Sequence, residues 1–201
     1  MRYLILTLFI SITSSTYSQN TVLNEQKAIS VLQKVSNKLN GSTAFSYDIK
    51  RELNYASENY HNISEWSCYF TFDHSNEAVG FKYQINNPTS IDFFNGTEKF
   101  ELNKENKTIQ INNNTQKKDF ENLSYLYNSI VTLKNVLSLI IAEQSSTKTV
   151  ADTIINNHLF ESVTINIGKK RIQNLGEGFD TMQTKYDFIY QIIIDKKNDM
   201  Q

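Results

Sequence analysis

The residues able to do chemistry are few and scattered. Three histidines, His61, His74 and His158, lie far apart, and none belongs to a His-Glu-x-x-His or Cys/His spacing of the kind that gathers zinc ligands. Each reads as a surface or strand histidine. The single cysteine, Cys68, would be a nucleophile only if its surroundings favoured the thiolate. It alternates in phase with Trp66 and Phe70, which makes it a buried, unreactive thiol. Gly176-Glu177-Gly178 lacks the lysine and the strand-to-helix setting of a phosphate-binding loop and reads as a turn. Asp73 and His74 are neighbours, but no acid, base and nucleophile share a motif. The expectation is a chain that is not an enzyme, with no catalytic residue, no metal ligand and no cofactor.

An aromatic set remains. Phe45, Tyr47, Trp66, Phe70, Phe72, Phe81, Tyr83 and Phe93 fall on one parity of successive strand-like segments and are expected to project from one concave face. Such residues are ordinarily core. Under a mobile helical cover, bulky rings that interlock imperfectly can leave an apolar cavity suited to acyl chains. The candidate ligand-binding residues are Phe45, Tyr47, Arg51, Trp66, Phe70, Phe81, Tyr83 and Phe93 from the strands, with Leu126, Ile130, Leu133 and Leu137 from the cover.

The elements that must position them are legible as periods. Ala28, Leu32, Val35 and Leu39 recur at helical spacing, and Gly41 stands where a C-terminal cap belongs, so a helix is expected over 24–39. From Thr43 the period becomes two. Phe45, Tyr47, Ile49, Leu53 and Tyr55 share one parity, followed by Trp66 to Phe72 and by Val79 to Ile85. Pro88 breaks the run, Ile91 and Phe93 lead to Asn95-Gly96, a strong two-residue hairpin signal, and Phe100, Leu102, Ile109 and Ile111 complete a meander of about six strands. Between Phe120 and Glu143 the pattern is helical and apolar on more than one face, with Asn128, Ser129, Lys134 and Asn135 interrupting it too often for a membrane span. A hairpin around Asn156-Asn157 and a last strand over 186–194 follow, separated by a polar stretch from Lys169 to Lys185.

The start of the chain sets the compartment. Met1-Arg2, the apolar run Tyr3 to Ile12 and the small polar stretch to Ser18 read as a secretory signal peptide over 1–18, leaving 19–201 as one domain in the periplasm or outside the cell. An uncleaved anchor is the alternative, although the run is about half the roughly 20 residues a spanning helix needs. The lone cysteine lies far from the cut, so neither a lipid anchor nor an internal disulfide is expected. Losing Arg2 takes the formal charge from -1 to about -2 with no basic run, which argues against nucleic acid. With one proline and six glycines, turns must fall to asparagine. Six Asn-x-Ser/Thr triplets, at Asn40, Asn62, Asn95, Asn106, Asn113 and Asn122, are glycosylation acceptors or chance in so Asn-rich a chain.

The fold class that follows is α+β and mostly antiparallel β: a strongly curved sheet or incomplete β-barrel with an N-terminal helix and a mid-chain helical lid. In this order of elements the chain resembles the LolA-like family of periplasmic lipoprotein carriers. The likeness runs from the Ala28, Leu32, Val35 helix through Phe93-Phe94-Asn95-Gly96 and Phe100-Glu101-Leu102-Asn103 to the Tyr190–Asp195 strand. It is similar to LolA-like domains that precede thioredoxin-like domains in exported bacterial proteins. The resemblance implies a lipid, acyl or lipoprotein cargo, or else an accessory domain with a thioredoxin-like partner; the Cys-x-x-Cys of those relatives is absent from these residues. It also implies an inward arginine on an early strand that hydrogen-bonds the lid. Arg51 shares the parity of Tyr47 and Ile49 and either takes that place or is turned to solvent by a β-bulge.

Overall fold

The computed structural model describes residues 2–55, 59–73 and 79–196. His74 lies outside them, as do the side chains of residues 1–21, where a signal peptide over 1–18 was expected, and of 53–55, which include Leu53 and Tyr55. The fold is α+β with mostly antiparallel strands, in the order α1 (Arg2–Gly41), β1 (Ala44–Tyr55), β2 (Tyr60–Phe72), β3 (Phe81–Asn86), β4 (Ser90–Phe94), β5 (Lys99–Asn103), β6 (Thr108–Asn112), α2 (Lys118–Glu121), a 3-10 turn (Ser124–Leu126), α3 (Ile130–Ala142), β7 (Thr147–Ile155), β8 (His158–Asn166), β9 (Lys170–Ile172), β10 (Phe179–Thr181) and β11 (Ile189–Asp195). Two compact units divide it. The first comprises Met1–Asn37, Val136–Ile172 and Gly178–Gln201, and the second Lys38–Asn135 and Gln173–Glu177. Among the described residues no helix is long and apolar enough to cross a membrane.

The second unit is built on a six-stranded sheet in the sequential order β1 to β6, the meander expected from the alternation. β1 and β2 pair without interruption from Ala44 opposite Thr71 to Tyr55 opposite Tyr60, so no bulge re-aims a side chain along β1. The inner face of β1 to β3 carries Cys68, Phe70, Phe81, Tyr83 and Ile85, all buried, as the period of two predicts.

From β4 onward the apolar alternation tracks the wrong face. Phe93 is 39% exposed, while Asp92 and Phe94 are buried, because the β3–β4 register sets Phe94 opposite Tyr83 and Asp92 opposite Ile85. Phe93 stands instead opposite Gln84 and Phe100, on the outer face with Ile111. The expectation that Phe93 points inward is therefore corrected. An acidic residue on the buried parity, Asp92, concealed the true phase.

The first unit contains a three-stranded sheet in the order β11-β8-β7, with Val163, Ile165 and Ile167 buried as expected, and the short pair β9–β10, which forms inside the polar stretch from Lys169 to Lys185, where no strand was expected. The strands thus divide among three sheets, and none closes on itself among the described residues, where one long sheet was expected. Helix α1 presents Ala28, Val31 and Leu32 as its buried stripe, and Asn24 ties it to β7 by donating to Val150 O at 3.0 Å and accepting from Val150 N at 2.9 Å.

Asparagine makes the turns, in two ways. Asn156 and Asn157 both adopt positive φ, at 50° and 63°, and close a two-residue hairpin between Ile155 and His158. Asn95 instead uses its side-chain oxygen to accept from Thr97 N and Glu98 N, each at 2.8 Å, so the Asn95-Gly96 turn spans four residues with only Gly96 at positive φ. Asn87 and Asn103 form the same kind of side-chain turn.

Candidate functional site

The inner face of the six-stranded sheet and the segment 118–131 form one packed cluster in the second unit. Phe70, Phe81, Tyr83, Phe94, Phe120, Leu126 and Val131 are each at most 2% exposed. The rings contact one another edge-on or tilted, with Phe94 and Phe120 at 4.8 Å, Phe81 and Phe120 at 6.0 Å, and Phe70 and Phe81 at 5.8 Å between centroids. At its centre the hydroxyls of Tyr83 and Tyr125 share a hydrogen bond of 2.9 Å. Burial pushes both phenols above their ordinary range, so they stay neutral and satisfy one another.

Of the residues singled out from sequence, Phe70, Phe81, Tyr83 and Leu126 lie within this cluster, and Tyr47, Trp66 and Ile130 pack at its margin half-buried. Phe45 is half-buried against Phe72 at 5.7 Å. Leu133 is half-buried, Phe93 is on the outer face, and Leu137, fully buried, belongs to the first unit. Sequence reasoning missed Phe94, Phe120 and Tyr125. Phe94 was hidden by the misread phase of β4, and Phe120 and Tyr125 sit on short helical pieces with no period to reveal them.

Arg51 does face inward. Its Nη2 donates to Tyr127 O at 2.8 Å, and the guanidinium carbon lies 5.4 Å from the Trp66 ring and 5.6 Å from the Tyr127 ring. Burial lowers its pKa, opposed in part by Tyr127, and among the described residues the charge is held by a carbonyl and two ring faces. The carbonyl is presented by the backbone itself: Tyr127 follows the 3-10 turn in an extended conformation, and Asn128 then turns at φ 54° into α3. Tyr47 adds a second link, its hydroxyl accepting from Ile130 N at 3.3 Å.

Two further ties fix the start of α3. Lys134, only 8% exposed, donates to Leu39 O at 2.5 Å and to Ser42 O at 3.4 Å, with Phe72 4.8 Å beneath its ammonium. It caps the carbonyl end of α1 from another helix. The loop Gln173–Glu177 is hooked on by Thr132 Oγ1 to Asn174 O at 2.5 Å and Asn135 Nδ2 to Leu175 O at 2.8 Å. Gly176, at φ +74°, rests so close to Thr132 that a Cβ there would meet its carbonyl oxygen at 2.2 Å.

The groups with reactive potential are placed apart. Cys68 is 2% exposed, and burial pushes its thiol up to about 12. His61 pairs with Glu52 at 2.9 Å on the surface, His158 is exposed at a hairpin turn, and Asp73 pairs with Lys82 at 3.3 Å. No group of three or more His, Cys, Asp or Glu among the described residues could hold a metal ion. No family model, curated protein or solved structure matches the chain.

Proposed function

We propose that the chain is an exported, non-enzymatic binding module of the LolA-like kind, acting in the periplasm or outside the cell. It holds a lipid, an acyl chain or a lipoprotein between the inner face of a curved sheet and the helical segment from Leu123 onward, which serves as its lid. The observation that supports this reading is the Arg51 to Tyr127 hydrogen bond, which runs from an early strand to that segment's backbone. An inward arginine in that role is what the resemblance implies.

The physical logic is exchange. In the closed arrangement the aromatic cluster is sealed, so an acyl chain enters by displacing the segment and breaking the Arg51 bond, worth about 1.5–3 kcal/mol for a charged donor. Burying an acyl chain returns about 0.8 kcal/mol per CH2 group, so a long chain outweighs the latch several-fold. Native mass spectrometry of protein purified from its own periplasm should show an added lipid mass, and long-chain fatty acids should raise the melting temperature. A clean apo mass with no thermal shift overturns the proposal.

The interlocking of Phe70, Phe81, Tyr83, Phe94 and Phe120 favours a second reading. In it the core is simply packed, and the chain is a non-catalytic accessory or interaction domain serving a thioredoxin-like protein. Co-purification with a Cys-x-x-Cys protein from the same compartment, together with indifference to acyl ligands, is the result that selects it.

A further inference from the structure

The inner face of β1 and β2 changes character along its length. On the inward parity of β2, Phe70 and Cys68 are buried, Trp66 is half-buried, and Ser64 and Asn62 follow, also half-buried. Opposite Phe70, Cys68, Trp66 and Ser64, β1 sets Phe45, Tyr47, Ile49 and Arg51 in turn. The face therefore runs from an apolar end inside the aromatic cluster to a polar end where Arg51 stands directly across from Ser64, near enough for both side chains to serve one group. Ser64 Oγ accepts from Asn62 Nδ2 at 3.2 Å, which leaves its own proton to donate.

At this polar end a cation stands without an acid. Arg171 pairs with Asp180 at 3.0 Å and Lys50 with Glu65 at 2.9 Å, whereas among the described residues Arg51 has the neutral carbonyl of Tyr127 and two ring faces. A guanidinium carries five N–H donors. Arg171 Nε is the one buried side-chain nitrogen or oxygen among the described residues that lacks a partner, so the donors Arg51 does not spend on Tyr127 reach solvent. A newcomer gains there only by being a better acceptor than the carbonyl it replaces. A neutral ester or hydroxyl breaks even, while an oxyanion makes the shorter, charge-assisted, two-pronged bond that suits the guanidinium fork. Resting on the acyl-binding reading above, we infer that the site takes an amphiphile with an anionic head, a fatty carboxylate or a lipid phosphate. Its oxygens dock between Arg51 and Ser64, and its chain runs past Trp66 and Ile49 towards Phe70.

The test uses the full chain and four ligands sharing one twelve-carbon chain: dodecanoate, dodecyl phosphate, methyl dodecanoate and dodecanol, each below its micelle concentration. Binding is followed by calorimetry and by the emission of Trp66, the only tryptophan. Both anions should bind about tenfold more tightly than both neutral ligands, or better, and the tighter anion tells a free fatty acid from a phospholipid head. In Arg51→Met the preference should vanish, and in Arg51→Lys, which keeps the charge and loses the fork, part of it should remain. Orientation is read in the unaltered chain, with no variant needed: at equal occupancy, 2-bromododecanoate should quench Trp66 more strongly than 12-bromododecanoate. Equal affinity for anions and neutral ligands, a preference that survives Arg51→Met, or stronger quenching by the 12-bromo isomer overturns this inference and leaves the acyl-binding reading standing. Binding by none of the four overturns both.

Discussion

Gly80 and Gly176 share a backbone angle and differ in surroundings, which makes them a matched pair. Both have φ +74°, but a Cβ on Gly80 would meet nothing within 4 Å among the described residues, whereas one on Gly176 would sit 2.2 Å from Thr132 O. Alanine at Gly80 should cost only the left-handed conformation, about 1–2 kcal/mol. At Gly176 the same cost applies, and the methyl falls about 1 Å short of the ~3.3 Å at which carbon and carbonyl oxygen normally approach. Thr132 is held in a helix, so the loop must move. That strains the Thr132 to Asn174 and Asn135 to Leu175 bonds, each worth about 1 kcal/mol. Gly176→Ala should therefore lose about 3–4 kcal/mol and Gly80→Ala about 1–2. In urea, followed by Trp66 emission, a gap of about 2 kcal/mol separates the two midpoints by roughly 1 M. Coincident midpoints would refute the claim that the Gln173–Glu177 loop is clamped to α3 by close backbone contact.

Four other outcomes are expected. Arg51→Met should lower stability in urea by about 2 kcal/mol through loss of the Tyr127 bond and the ring contacts, and Arg51→Lys should recover only part of it. Burial, with Glu101 opposite, raises the pKa of Asp92, so its contribution is present below the ordinary carboxylate value and is lost as pH rises through the folded value. Asp92→Asn should thus raise the urea midpoint at pH 7 and leave it unchanged near pH 3. Moving the Cys68 thiol from near 9 to about 12 cuts its thiolate fraction roughly a thousandfold, so a thiol reagent at pH 8 should label native protein only as fast as it unfolds. Tyr47, Tyr83 and Tyr125 have raised folded values, so their contribution is intact below about pH 10 and disappears above it. Alkaline unfolding above pH 10 should weaken in Tyr125→Phe, measured as the pH slope of the urea midpoint.

The sequence carried the meander well where one face was apolar and the other polar. Phe45 to Arg51 and Trp66 to Phe70 alternate cleanly, and their inward parity follows from period two alone. It failed where polar groups are inside. Asp92 on β4 and Lys134 on α3 are buried beside partners that offset part of the cost, Lys99 on β5 and Ser90 in one case and the carbonyls of Leu39 and Ser42 in the other. Lys99, Leu39 and Ser42 are brought there by tertiary contact, which no local period records. The outer face of β4 to β6 misled for the complementary reason: Phe93, Ile109 and Ile111 have the alternation of a core but remain exposed. For Arg51 the sequence left two alternatives open, an inward guanidinium implied by the resemblance and a bulge that turns it out, and its partner Tyr127 was not legible at all, since a backbone acceptor leaves no mark in sequence.

The chain's dependence on asparagine divides its loops into two classes of replaceability. Where the residue is wanted for a left-handed backbone, as at Asn156 and Asn157, glycine is an equivalent substitute and aspartate a near one. Where the carboxamide oxygen itself ties the loop, as at Asn87, Asn95 and Asn103, glycine removes the tie and only aspartate or serine can stand in. A homologue that trades asparagine for glycine at the β7–β8 hairpin has changed nothing of consequence there, whereas the same trade at Asn87 unties Thr89 and Ser90 and loosens the turn whose carbonyl receives Lys104.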